Sequence, residues 1–200
     1  MTLGASGRVT GEKRMGASGW EYYVPYEADI SVAFQRLCES VYLEVAKWFP
    51  TRTEQIARLE NDLQRLDTLY PQSRYDAHQA ELRESHESEI VLALKRLRSL
   101  PEPKTAQERI HELRLICGTD GTGTILDMRG VSGKPDYFEV APLTNEALVE
   151  FFGTAQPTRE IVEANKRAIF DCQRSQMGSY VILYANGQPS EIYLVGFSGD

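Results

Sequence analysis

The chain has little cysteine, few histidines and no long apolar run. Three cysteines, Cys38, Cys117 and Cys172, stand far apart in sequence. An odd, scattered set of this kind does not read as a disulfide framework, and reduced, mostly buried thiols in a cytosol are expected. No run of eighteen apolar residues occurs, so no transmembrane helix is expected, and the N-terminus lacks the apolar middle of a signal peptide. The predicted location is cytoplasmic. Cations are outnumbered: 22 Lys and Arg stand against 29 Asp and Glu, a net charge of −7. That balance argues against nucleic acid and against anionic membrane surfaces, which must be met by clustered Lys and Arg. Lys95, Arg96 and Arg98 form a basic patch too small to change this.

Motifs for chemistry are missing too. The histidines are His78, His86 and His111, and the first two are eight apart, whereas zinc pairs on a helix sit three or four apart. Neither a Gly-x-Ser-x-Gly elbow nor a His-Glu-x-x-His pattern is present. The glycine-rich stretch Gly118 to Thr124 runs from a predicted helix into a predicted strand, Ile125 to Met128. A phosphate-cradling loop runs the other way, from strand into helix, so a helix C-cap and turn is expected here. No cofactor and no metal are predicted.

What remains is an α+β pattern. Its predicted form is a mostly antiparallel sheet of about four to five strands packed with helices, with an inserted antiparallel, coiled-coil-like helical hairpin. Residues 1–19 read as a flexible tail, or partly as an added leader with Met15 as the original start, because Gly4-Ala5-Ser6-Gly7 recurs as Gly16-Ala17-Ser18-Gly19. Residues 20–50 and 101–200 are expected to form one domain, and 51–100 the inserted arm. Trp20 to Tyr26 alternates at strand period, placing Trp20, Tyr22, Val24 and Tyr26 on one face. Asp29 caps a helix whose stripe is Ile30, Phe34, Leu37, Val41, Val45 and Trp48. Pro50 ends it.

Thr51-Arg52-Thr53-Glu54 is a capping box that starts the arm. Ile56, Leu59, Leu63, Leu66 and Tyr70 follow at three-four spacing, a two-stranded seam. After a turn at Pro71-Gln72-Ser73, the second helix carries Tyr75, Leu82, Ile90, Leu94 and Leu97. Its middle, His78, Ser85, His86 and Glu89, is polar where a seam would want Leu. Either Tyr and His stems fill that gap, or a partner or second copy packs there. Beyond Pro101 and Pro103, Thr105 to Glu108 is another capping box. Asp136 to Val140 reads as a short strand, Thr144 and Thr158 open helices, and Asn186-Gly187 turns a terminal hairpin, Ser179–Ala185 and Ser190–Phe197. Tyr180 to Tyr184 is apolar almost throughout, which places it centrally in the sheet, covered on both faces.

The segments Trp20 to Tyr26, Gly121-Thr122-Gly123-Thr124-Ile125-Leu126-Asp127, Phe152-Gly153-Thr154 with Pro157-Thr158, and Pro189-Ser190-Glu191-Ile192 are together similar to a group of small uncharacterised bacterial proteins. The resemblance covers about half of the chain. It implies a bacterial origin, and it implies that the arm is an elaboration, since the corresponding region of that group is much shorter. It carries over no functional residue.

Three readings follow. The arm is the contact surface of a protein-interaction or regulatory subunit of a bacterial multi-protein system, meeting another protein or a second copy through Leu59, Leu63, Leu66, His78, Leu82, His86 and Glu89. Alternatively, Asp120, Asp127, Asp136 and Glu139, near Arg129 and Lys134, form the acidic site of a small enzyme or ligand-binding domain. Or the acidic surface blocks a basic toxin, as an immunity or antitoxin-like inhibitor does. The first is preferred, and enzymatic activity is not expected.

Overall fold

A computed structural model describes residues 17–70, 77–118, 121–172 and 175–199. In chain order the elements are β1 (Ala17–Pro25), α1 (Ile30–Val45), a 3-10 turn (Ala46–Trp48), α2 (Arg52–Gln64), α3 (Leu66–Leu69), α4 (Ala77–Ser99) and α5 (Ala106–Cys117). A second 3-10 turn (Ile125–Asp127) leads to β2 (Gly130–Val131), β3 (Glu139–Pro142), α6 (Asn145–Phe152), α7 (Arg159–Cys172), β4 (Gly178–Ala185) and β5 (Gln188–Gly199). Two compact units result. One joins the residues up to Val45 with those from Cys117 onward, and the other is Ala46–Ile116.

The first unit is an α+β fold around a five-stranded open sheet of order β1-β5-β4-β3-β2. The sheet is mixed, which corrects the expectation of a mostly antiparallel one. β1 and β4 run antiparallel to β5, but β3 runs parallel to β4, and β2 parallel to β3. The reason is connectivity. The Asn186-Gly187 turn, with φ of 52° and 75°, reverses the chain locally. By contrast α6 and α7 lie between β3 and β4 and return the chain in the same direction. The predicted strand at Ile125 to Met128 is also absent. There the Thr124 hydroxyl accepts the Leu126 amide and closes a 3-10 turn, so local side-chain bonds replace a ladder. The strand expected from Asp136 begins at Glu139 instead.

Alternation along the strands sorts the two sheet faces. On one, Val181, Leu183, Tyr193 and Val195 pack with Leu148 and Phe152 of α6 and with Val162 and Ile169 of α7. On the other, Trp20 and Tyr22 are buried, and α1 packs on β1, β2 and the Ile125 turn. β4 is central, as expected, but β5 is the strand buried on both faces, with Ile192 through Ser198 all buried. In β4, Tyr180, Ile182 and Tyr184 stay half-buried. Thr144 caps α6, and Gly153 ends it in the left-handed conformation at φ 73°.

In the second unit the Thr51–Glu54 capping box is formed as read. α2 stops at Gln64, and Arg65 separates it from α3. Leu66, Ile90 and Leu94 form a buried cluster flanked by Ile56, Leu59, Leu63 and Tyr70. Trp48, expected in the buried stripe of α1, is 75% exposed because the helix ends at Val45 and the tighter 3-10 turn breaks the 3.6-residue period.

Candidate functional site

A connected set of titratable side chains lies under α7. β1 places Glu21 and Tyr23 on the face opposite Trp20 and Tyr22. Its register sets Glu21 beside Val195 and Tyr23 beside Tyr193. Arg159, Glu163 and Lys166, spaced four and three apart on α7, face them. Glu21 is only 6% exposed. One of its carboxylate oxygens accepts Lys166 Nζ at 2.8 Å and the other the Tyr193 hydroxyl at 2.9 Å. Lys166 also meets Glu163 at 3.1 Å. The Arg159 guanidinium sits 4.1 Å from the Tyr23 ring centroid and pairs with Glu191 at 2.8 Å. The Tyr23 hydroxyl is buried and faces the Glu163 carboxylate.

Electrostatics describe a fastening rather than a reaction centre. Burial, with the nearby carboxylates Glu163 for Tyr23 and Glu21 for Tyr193, holds both phenols well above the usual tyrosine range. Burial opposes the charges of Lys166 and Glu163. Yet hydrogen bonds to Glu21 and Glu163 raise Lys166, and the neighbouring Tyr23 and Lys166 lower Glu163. A tyrosine acting as a general acid needs a pKa brought toward the working pH, and both phenols here move away from it. Glu21 escaped the sequence reading because its partners, Lys166 and Tyr193, stand 145 and 172 residues away. The available signal was a lone acid between buried aromatics.

The acids of the predicted site have separate surroundings. Asp127 accepts the amides of Thr122 at 2.7 Å and Gly123 at 3.1 Å, holding the glycine-rich turn closed. Gly121, at φ 67°, is needed beside it, since a Cβ there would lie 3.0 Å from an Asp127 oxygen. Asp136 is exposed and accepts the Tyr137 amide at 2.8 Å. Glu139 is half-buried at the start of β3. Asp120 lies outside the described residues. Arg129 is exposed and stacks 4.6 Å from the Phe138 ring centroid. Among the described residues no group of three or more His, Cys, Asp or Glu could hold a metal ion.

No protein-family model, curated protein or solved structure matches the chain.

The residues predicted to meet a partner divide in two. Leu59, Leu63, Leu66 and His86 turn inward: Leu66 is buried, Leu59 and Leu63 pack against it, and His86 Nδ1 lies 3.4 Å from the Tyr70 hydroxyl. His78, Leu82 and Glu89 are exposed. Arg83 pairs with Asp67 and Glu87, and Arg98 with Glu60. Leu63, Val91, Leu94, Lys95, Arg98 and Ser99 line an open groove of about 520 Å³. The turn at Pro71-Gln72-Ser73 and Tyr75 lie outside the described residues. Among those described, no helix is long and apolar enough to cross a membrane.

Proposed function

We propose that the chain is a protein-interaction or regulatory subunit of a bacterial multi-protein system in the cytoplasm, with the helices from Thr51 to Leu100 as its contact surface. These helices read as an inserted antiparallel hairpin. Glu60 with Arg98 and Asp67 with Arg83 support that reading, since the number rises in one arm as it falls in the other. Arg52 supports it at the base by donating to the Leu100 carbonyl at 2.7 Å.

The observation that carries the proposal is apolar exposure on α4. Leu82, Val91 and Leu92 are 45%, 50% and 48% exposed, and Val91 borders the groove whose wall includes Leu63 and Leu94. Val91 and Leu92 are neighbours, and adjoining large apolar side chains mark interaction surfaces more often than scattered single ones such as Leu82 do. The acidic set at 120–139 has less behind it, because the Asp127 carboxylate is already occupied by two amides.

The test is co-fractionation by native size from source cells, comparing the wild-type chain with Val91→Asp/Leu92→Asp. Both positions are exposed, so the variant should keep its circular dichroism spectrum and lose its higher-mass species. Unchanged fractionation of the folded variant would show that this surface is not the contact.

A further inference from the structure

One exposed stripe of α4 repeats itself in reverse. Glu81, Glu84, Ser88, Val91, Lys95 and Arg98 follow one another at spacings of three and four, so they form one stripe, and all six are exposed. The stripe spans about 26 Å of helix. Its N-terminal half carries two acids and its C-terminal half two bases. Laid antiparallel on a copy of itself, it sets Glu81 opposite Arg98, Glu84 opposite Lys95 and Ser88 opposite Val91, and each pair occurs twice. Glu81, Glu84 and Lys95 have no ion pair among the described residues. Arg98 holds Glu60 of its own chain but has donors for a second carboxylate. Leu92, also exposed and four residues from Ser88, borders the stripe and supplies an apolar flank beside its charges.

From this we infer that α4 pairs with α4 of a second copy in a two-fold, antiparallel contact. The inference rests on reading these helices as the contact surface, and it names the partner. A two-fold axis requires a self-complementary patch, which a charge-reversed stripe provides. A parallel pairing would set like charges together along the whole length. A foreign partner would need no such internal reversal. The contact is narrow, so the dimer should be weak and salt-sensitive.

Sedimentation equilibrium of the purified full chain, from about 1 µM to about 1 mM, tests it. A monomer–dimer equilibrium is expected that shifts to monomer as salt rises from about 0.05 M to about 1 M. Glu84→Lys and Lys95→Glu should each weaken it about tenfold or more, and the double variant Glu84→Lys/Lys95→Glu should restore it, because both charges are then reversed together. Ser88→Arg, at the centre of the stripe, should also dissociate it. A chain that stays monomeric throughout overturns the inference, as does a dimer indifferent to both single charge reversals. Either result leaves the broader contact reading to the co-fractionation test, which involves other molecules.

Discussion

Replacing Glu21 with leucine isolates the buried ionic contact. The Tyr193 side chain is fully buried, and its hydroxyl donates to Glu21 at 2.9 Å. Without that acceptor the hydroxyl is orphaned away from water, which costs about 1–3 kcal/mol. Lys166 suffers less, because its side chain is partly exposed and keeps Glu163 at 3.1 Å. Glu21→Leu should therefore destabilise the sheet unit by about 2–3 kcal/mol, and Tyr193→Phe by about 1 kcal/mol. The double variant removes both polar groups together and leaves an apolar pair. It should be less destabilised than the sum of the singles by about 1–2 kcal/mol. Urea denaturation followed by tryptophan emission reads this locally. The chain has two tryptophans, so a Trp48→Phe background leaves Trp20, buried on the sheet, as the reporter. Additivity within about 0.5 kcal/mol, or a Glu21→Leu effect below that size, would refute the assignment of the contact as a fastening.

Three further outcomes are expected. Gly196→Ala would drive its Cβ into the Trp20 ring and to 2.7 Å from the Met177 carbonyl, at a cost of about 3 kcal/mol. Gly187→Ala, at φ 75° with nothing within 4 Å, should cost only about 1 kcal/mol, and equal losses in a denaturant series would count against the clash. At alkaline pH the phenols of Tyr22, Tyr23 and Tyr193, raised chiefly by burial, stay protonated in the folded chain but titrate near 10 once unfolded. Their stabilisation is complete below pH 10 and is lost as pH rises above it, so at least these three of the ten tyrosines should ionise only together with loss of circular dichroism. Complete phenolate formation with a native spectrum would contradict that. Asp127→Ala should cost about 2 kcal/mol by freeing two amides, and Asp127→Asn about half as much because one oxygen remains; a thermal scan that ranks the two alike would show the carboxylate is not the clasp.

Local signals were legible in the sequence, and long-range ones were not. The capping boxes at Thr51 and Thr105 and the Asn186-Gly187 hairpin each depend on neighbours within a few residues, and each formed as read. The parallel pairing of β3 with β4 depends on a crossover through two helices, for which no local pattern exists. Asp127 was visible as an acid beside glycines. Its actual use, closing that turn, requires the Thr122 and Gly123 amides to point back at it. In the same way Glu21 lay in plain view between Trp20 and Tyr22, but nothing near it in sequence announces Lys166.

The gap expected in the arm shows how a small angular error relocates a surface. The sequence reading set Leu82 and Ile90 on one seam, yet eight residues at about 100° each leave them about 80° apart around the helix. His86, four residues from Ile90, is only about 40° away. The structure accordingly turns His86 inward against Tyr70 and leaves Leu82 exposed. Arg83 binds Asp67 and Glu87 on the inward side. Tyr70 thus meets His86 and Asp67 meets Arg83, while His78, Ser85 and Glu89 stay exposed, as do the apolar Leu82, Val91 and Leu92. Val91 lies within the charge-reversed stripe and Leu92 beside it, whereas Leu82 is about 180° from Val91 around the helix. On the proposed reading a partner meets the exposed side of this helix that carries Val91 and Leu92, since the His86 side is covered by Tyr70.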